Sequence, residues 1–215
     1  MGRIGDWVNR QRHNKGYGVQ SPSEFFFVTQ VLKERLPYYA YPLLEDIAKR
    51  NSLRARYLKE LFRITNHYKP SNCLAIESPA AACAMTTARP SVQVYSISGE
   101  KPEETTDTLL TNLGCNVLQG ETSELLKRLL EEEKSIGMLY IGRCRNQAEL
   151  LGIAMRYTNE SSIIVIEGIQ RDAETRDWWR TIIESDSTII TYDMCSYGFL
   201  LFNKERQKQH YTLKR

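Results

Sequence analysis

Short apolar runs alternate with amphipathic segments through most of this 215-residue chain. From residue 72 onward, runs rich in apolar and β-branched residues predict strands at 73–76, 92–97, 116–119, 137–141 and 162–166. Helical patterns between and after them predict helices at 79–88, 103–113, 122–134, 146–158 and 171–184. Strands that alternate with helices in this way indicate βαβ units and a parallel sheet covered on both faces.

The end of the chain breaks this alternation. Two further strands are predicted at 187–194 and 197–203, and only Cys195 and Ser196 separate them. A parallel crossover needs a dozen or more residues, so these two strands are antiparallel neighbours or the second inserts beside an earlier strand. The sequence therefore predicts an α/β fold with a doubly wound, mostly parallel sheet of seven strands, the last of them antiparallel.

The first 70 residues predict helices and no strand. Ser21-Pro22-Ser23-Glu24 is typical of a capping box with proline at the first helical position, and that helix should end before Pro37. Ser52 is the predicted cap of a second amphipathic helix, whose apolar face carries Leu53, Tyr57, Leu58, Leu61, Phe62 and Thr65. We expect residues 1–70 to form a basic segment and lead-in helices, packed on an α/β core of residues 71–215 in one structural domain.

Composition and cysteine usage are those of an ordinary globular protein, with 41% apolar and 26% charged residues. No apolar stretch approaches the roughly 20 residues that span a bilayer, and the first residues lack the apolar core of a secretory signal. The five cysteines contain no C-x-x-C pair, and the three histidines lie far apart in sequence. We expect a cytoplasmic protein with reduced thiols and no local zinc pattern.

Positive charge is concentrated at the two ends. Residues 1–20 carry a net charge of +3 and residues 204–215 a net charge of +4, so the remainder sums to −4. Basic ends can bind nucleic acid or anionic lipid, although they more commonly keep a protein in solution. The chain lacks a helix rich in Arg and Lys and a basic-aromatic stripe, which disfavours a nucleic-acid partner. We expect no membrane partner, while exposed aromatic residues such as Trp7, Tyr38 and Tyr39 leave a homodimer open.

Several stretches carry a resemblance to a known family: YGVQSP (17–22), PYYAY (37–41), LFRITNHYKPSNCL (61–74) and the final FLLFNKERQKQHYTLKR (199–215). Over nearly its whole length the chain resembles bacterial class I S-adenosylmethionine-dependent methyltransferases of the small-molecule O-methyltransferase type. The resemblance implies a Rossmann-like fold with a reversed last strand, S-adenosylmethionine as cofactor and methyl transfer as the activity.

The cofactor turn of that family departs from its pattern here. The family's first strand ends in an acid followed by glycines, E-x-G-x-x-x-G, around the methionine part of the cofactor. In the register of the flanking residues the acid falls on Ala75 and the glycines on Glu77 and Ala81. If Glu77 is taken as the acid, Pro79 and Cys83 stand at the glycine positions. Neither register supplies a glycine, which is the residue whose backbone a ligand approaches most easily.

The second strand shows a similar departure. Its last residue in the family is an acid that accepts hydrogen bonds from both ribose hydroxyls, and Ser98 stands there in "VYSISGE". A serine offers one uncharged oxygen, so it is a weaker acceptor for a diol. Glu100 lies two residues further on and either reaches back to this position or lies in solvent.

The family's acidic catalytic positions, after the fourth and fifth strands, have also changed. Gly142 stands where the family has an aspartate that serves as metal ligand or general base, and Arg145 replaces a histidine. Glu167 retains one carboxylate of an acidic pair, while Gly168 replaces the other and Gln170 replaces a histidine. A divalent cation needs several converging oxygen ligands, so the sequence predicts no metal site.

Two main interpretations follow from these departures. The first is a pseudoenzyme: a methyltransferase homologue that binds an unknown small molecule or protein without catalysis, with its cleft filled by side chains such as Arg143 or Met85. The second is an active small-molecule O-methyltransferase with an unusual cofactor site. In that case Glu77, Ser98 and Glu100 are the cofactor-binding candidates, and Glu167 is the catalytic base. A nucleic-acid binder that uses the basic ends ranks last.

Overall fold

A computed structural model describes residue 19 and residues 21–51 and 53–213 of the chain. Eight strands in this part form one mixed sheet in the order β3-β2-β1-β4-β5-β7-β6-β8. The strands are β1 Asn72–Ile76, β2 Gln93–Ser98, β3 Asn116–Gln119, β4 Met138–Ile141, β5 Ile163–Glu167, β6 Ile190–Asp193, β7 Tyr197–Leu201 and β8 Gln209–Thr212. The helices are α1 Pro22–Phe26, α2 Tyr41–Arg50, α3 Ala55–Tyr68, α4 Pro79–Ala88, α5 Glu104–Asn112, α6 Thr122–Glu133, α7 Gln147–Ala154 and α8 Ala173–Glu184. A π-helical turn, Phe27–Val31, continues α1, and a 3-10 turn, Met155–Tyr157, continues α7.

The sheet confirms the predicted α/β class and the reversed strand. Strands β1 to β5 pair in parallel, and β7 lies antiparallel between β5 and β6. The predicted count of seven is wrong, because β8 follows β7 and pairs in parallel with β6. This strand has no apolar run to mark it, since only Tyr211 of its four residues is buried. Within the described residues, no helix is long and apolar enough to span a membrane.

The lead-in region contains a helix that the sequence did not predict. Helix α2 begins after Ala40 without a side-chain cap, so the usual start signal is missing. It is held instead by burial of Leu44, Ile47 and Ala48 on one face. Helix α3 confirms the predicted amphipathic helix, whereas its proposed cap, Ser52, lies outside the described residues. Nearly all of the basic segment 1–20 also lies outside them, and the domain division at residue 70 stays a prediction.

The predicted capping box at the start of α1 is wrong, because Glu24 turns into the core. Its side chain is 1% exposed, with Oε1 bound by the Arg206 guanidinium and Oε2 by the Tyr192 hydroxyl. The hydroxyl of Ser21 lies 2.9 Å from that of Ser23 and bonds no backbone amide of the helix. A buried carboxylate is tolerated only when it is paired and hydrogen-bonded, so this contact fixes α1 to the C-terminal segment.

Helix α4 is buried on every side, which explains its run of small residues. All residues from Ala80 to Ala88 are buried, between strands β1 and β2 on one side and α3 on the other. A helix enclosed in this way has no solvent face and needs small side chains to let both neighbours approach. Packing between the sheet and α3 therefore accounts for the small residues of this helix.

The sheet separates two apolar clusters. One lies between the sheet and α2, α3 and α4, and the other packs α6, α7 and α8 against the opposite face. Three of the five cysteines, Cys73, Cys83 and Cys115, are buried, and none of the five forms a disulfide. Burial raises the pKa of Cys73 and Cys83 to about 12.

Among the described residues, the large apolar side chains that remain exposed belong to one segment of the lead-in region. They are Phe25, Phe26, Leu36 and Tyr39, with Tyr39 the most exposed at 74%. Tyr38 is half-buried, and its ring lies 5.0 Å from that of Phe62. Trp7 lies outside the described residues. The homodimer stays a prediction.

Helix α8 docks on the sheet through one glycine. A Cβ atom at Gly198 of β7 would overlap the six-membered ring of Trp179, which is 1% exposed. We expect Gly198→Ala to lower the free energy of unfolding by about 1–3 kcal/mol, because overpacking in a closed core costs that much. Chemical denaturation of the two proteins measures this difference.

A double-mutant cycle provides the control for that substitution. The indole nitrogen of Trp179 has no hydrogen-bond partner within the described structure, so Trp179→Phe removes ring atoms without breaking a hydrogen bond. In the Trp179→Phe background the effect of Gly198→Ala should shrink markedly. An equal loss in both backgrounds would show that the strand, and not the ring, resists the added methyl group.

Candidate functional site

The predicted site residues lie along the carboxyl ends of the central strands. Glu77 follows β1, Ser98 ends β2, Gly142 follows β4 and Glu167 ends β5. The strand order reverses between β1 and β4, because β2 and β3 extend the sheet on one side and β4 and β5 on the other. Open α/β sheets bind their ligands at this switch point.

The turn after β1 has the backbone of a glycine turn without a glycine. Glu77 has φ of +53°, in the left-handed region, and the next residue, Ser78, caps helix α4. This conformation costs a non-glycine residue about 1–2 kcal/mol. Two hydrogen bonds offset that cost: the Glu77 amide donates to the Ile97 carbonyl at 2.8 Å, and its Oε1 accepts from the Gly99 amide at 2.8 Å. Glu77 therefore has a left-handed backbone conformation that glycine adopts more easily.

The same turn lies directly against the residue that follows β4. The Gly142 amide donates to the Ile76 carbonyl at 2.8 Å, which extends the β1–β4 pairing by one step. A Cβ atom on Gly142 would lie 2.5 Å from the Glu77 carbonyl oxygen and 2.8 Å from that of Ile76. With this backbone no side chain fits at position 142, and the aspartate implied by the resemblance is excluded there. Glu77 and Gly142, which lie far apart in the sequence, are thus in direct contact.

The end of β2 carries a buried hydroxyl with no partner. Ser98 is 4% exposed, and within the described structure its Oγ makes no hydrogen bond, while its carbonyl accepts from the Gly120 amide at 3.1 Å. Glu100 lies exposed on the bend beyond it. The Glu77 carboxylate does reach the end of β2, where it accepts a hydrogen bond from the Gly99 amide.

Glu167 is held between a cation and a phenol. Its side chain is 13% exposed, with Oε1 2.9 Å from Arg143 Nε and Oε2 accepting from the Tyr140 hydroxyl at 2.7 Å. The Tyr140 hydroxyl also bonds that of Tyr57 on α3. Burial, followed by the nearby charge of Glu167, raises the pKa of Tyr140 well above its ordinary value. Tyr57, Tyr140, Glu167 and Arg143 therefore form one chain of hydrogen bonds, here called the tyrosine–glutamate chain.

The other residues that the resemblance aligns with catalytic positions are Gly168, Gln170 and Arg145. Gly168 has φ of +79°, and a Cβ there would lie 3.3 Å from the Arg143 side chain, which covers it. Gln170 donates to Asp193 Oδ2 at 2.8 Å, and Arg145 is exposed. In the part of the chain that the structure describes, no three His, Cys, Asp or Glu residues converge on a metal position. The absence of a metal in the protein stays a prediction.

Sequence reasoning missed several residues of this edge. Tyr57 and Tyr140 read as apolar positions of a helix and a strand, and nothing in their spacing signals that their hydroxyls meet. Arg143 does lie at the site, against Glu167, as one of the two side chains suggested to fill the cleft. Met85, the other, is completely buried in α4.

Comparison with known proteins gives similarity at the level of structure. No family model matches the chain, and no curated protein matches it in sequence. Among solved structures, a chain from Klebsiella pneumoniae assigned as an O-methyltransferase superposes with a TM-score of 0.63 at 13% identity, covering 79% of this chain and 92% of that one. The methyltransferase PaMTH1 of Podospora anserina, solved with S-adenosylhomocysteine, gives 0.60 at 10% identity, covering 94% and 96%. A chain from Staphylococcus aureus assigned as a caffeoyl-CoA O-methyltransferase gives 0.58 at 11% identity, covering 77% and 93%. The chain therefore has a class I methyltransferase-like fold.

Proposed function

We propose that this protein is a methyltransferase homologue that no longer transfers methyl groups and acts by binding a small molecule or a protein. The observation that carries the proposal is the contact of the Glu77 carbonyl with Gly142. It fills the place where the family's aspartate would project, and it fixes the turn after β1 with a side chain in place of a glycine.

The state of Glu167 supports the same proposal. A general base must present a carboxylate oxygen to the substrate within hydrogen-bond reach. Both oxygens of Glu167 already have a partner, Arg143 on one side and Tyr140 on the other. These partners fix the position of the carboxylate, so a substrate proton has to approach one of its remaining lone pairs beside Arg143 and Tyr140.

The second candidate function is an active O-methyltransferase with an unusual cofactor site. Two observations favour it. The Ser98 hydroxyl is buried without a partner among the described residues, and the Glu77 carboxylate lies beside it at the ends of β1 and β2. In this arrangement, oxygens of Ser98 and Glu77 would accept hydrogen bonds from the ribose hydroxyls, and Glu100 would close over the ribose from the exposed bend.

Thermal unfolding with cofactor separates the two functions. A ligand at a hundredfold excess over its Kd stabilises the native state by about 2.7 kcal/mol. In a domain of this size that free energy raises Tm by about 5–10 °C. We expect S-adenosylmethionine and S-adenosylhomocysteine at millimolar concentration to raise Tm by less than about 1 °C, measured by differential scanning fluorimetry.

The Podospora methyltransferase, solved with S-adenosylhomocysteine, serves as the positive control for ligand quality. A rise of 5 °C or more that disappears in Glu77→Ala or Ser98→Ala would show that an unusual site still binds the cofactor, and the active enzyme would then replace the binding protein as the favoured function. A rise that both variants retain would place the cofactor elsewhere and would also contradict the proposal.

The contact at Gly142 makes a separate prediction about stability. We expect Gly142→Ala to lower the free energy of unfolding by about 2 kcal/mol or more, because the added methyl group meets backbone atoms that have no alternative position. Urea denaturation of the two proteins provides the measurement.

Gly152→Ala is the matched control, because it adds the same methyl group to an exposed position of α7 with nothing within 4 Å. It should be neutral or stabilising by about 0.5–1 kcal/mol, since alanine replaces glycine inside a helix. If Gly142→Ala proves as harmless as this control, the turn after β1 has room to move and the proposed loss of the site is in doubt.

A further inference from the structure

A groove on the outer side of α3, away from the strand ends, has an unusual concentration of positive charge. It lies between α3 and the segment 32–45 and has a volume of about 890 Å³. This volume falls within the range of small-molecule sites, about 300–1,000 Å³. The described side chains that line it include five basic residues, Lys33, Arg35, Arg56, Lys59 and Arg63, against two acidic ones, Glu34 and Glu45. The lining residues thus carry an excess of three positive charges, one of which is balanced by Glu60, buried behind Arg56.

Three of the cations share one face of a helix. Arg56, Lys59 and Arg63 lie at positions i, i+3 and i+7 of α3, a spacing that aligns side chains along a helix surface. Arg35 approaches from the opposite wall, where it is exposed and makes no hydrogen bond or ion pair with the described residues. Like charges placed together in this way repel one another, so an anion among them is stabilised.

Arg63 is the most informative of these residues, because its charge is buried. It is 6% exposed, and its guanidinium donates to the carbonyls of Val31 and Leu32 at 2.8 Å and to the Tyr41 hydroxyl at 2.9 Å. All three acceptors are neutral. The two carbonyls end the π-helical turn, so Arg63 also has a structural role. Five N–H groups on a guanidinium leave donors for a further acceptor, and a buried charge without a carboxylate favours an anionic one.

The neighbouring cations retain donors as well. Arg56 uses Nε on Glu60 Oε1 at 2.9 Å, and among the described residues its two Nη groups have no partner. Lys59 pairs with Glu45, and its ammonium lies 4.7 Å above the Tyr41 ring. Tyr38 and Tyr41 provide aromatic surface beside these charges.

We infer that this groove binds a small molecule with a phosphoryl group, whose oxygens are bound by Arg56, Arg63 and Arg35 and whose body lies against Tyr38 and Tyr41. A phosphoryl group carries close to two negative charges at neutral pH and has three acceptor oxygens, which matches several separate cations better than a single carboxylate does. The guanidinium fork binds phosphate oxygens in pairs. The inference goes beyond the proposed loss of methyl transfer and does not depend on it, because the groove does not include Glu77, Ser98 or Gly142.

Titration with simple anions tests the inference on the full chain. Inorganic phosphate, pyrophosphate and phenyl phosphate are added at constant ionic strength, with sodium chloride making up the balance, and Tm is followed. At ten times Kd a ligand should raise Tm by about 3–6 °C. We expect saturable responses, with phenyl phosphate binding more tightly than phosphate. No response from any of the three at 20 mM would overturn the inference, and so would an equal response to acetate and malonate.

Variants locate the site. Arg56→Gln and Arg35→Gln should each weaken binding of phenyl phosphate about three- to tenfold, because each removes a charged donor at a partly exposed position. Arg63→Met should abolish the response, and the two exposed variants keep the test valid if Arg63→Met does not fold. Arg50→Gln is the control, since Arg50 is exposed on α2, pairs with Asp46 at 2.7 Å and does not line the groove. An equal loss in Arg50→Gln, or binding to anionic vesicles or RNA without binding to the three small anions, would contradict the inference.

Discussion

The arrangement of this candidate site depends on the contact between the Glu77 carbonyl and Gly142. It joins the turn after β1 to the end of β4 at the point where the strand order reverses. The turn can adopt this position only with φ of +53° at Glu77, and the neighbouring residue can accept it only without a Cβ atom. A side chain at position 142 would therefore require the turn after β1 to move.

Buried polar groups play a larger part than the apolar pattern suggests. Glu60 on α3 is almost fully buried, and it accepts from Arg56 and from the Tyr197 hydroxyl of β7. The ring of Tyr197 in turn lies 4.9 Å from that of Tyr57, which belongs to the tyrosine–glutamate chain. The charged groove on the outer side of α3 and the strand ends on its inner side are thus linked through one helix. Hydrogen bonds connect Arg56 to Tyr197, and a contact between aromatic rings connects Tyr197 to the tyrosine–glutamate chain.

The sequence predicted the strands and helices that have a local signal within their own residues. Strands β1 to β7 and the helices between them were recognisable because each contains its own apolar run or amphipathic face. Strand β8 was missed because Tyr211 is its only buried residue, and helix α2 because Ala40 offers no cap. The positions that matter at the site could not be predicted in the same way. The contact of Glu77 with Gly142 joins residues 65 positions apart, and Glu24 matches a local capping signal while its partners lie near the other end of the chain.

The pairing of Glu24 with Arg206 has a consequence for how the chain folds as it is made. Synthesis proceeds from the N-terminus, and domains generally fold as their residues emerge. Glu24 belongs to the first described helix, whereas Tyr192 and Arg206, which bind its carboxylate, are synthesised 168 and 182 positions later. Until then, burial of α1 would place an unpaired carboxylate in the core. The lead-in helix should therefore dock only after Arg206 has emerged, and a nascent chain stalled before Arg206 should expose Phe27 and its neighbours, which are buried in the folded protein, to chaperones.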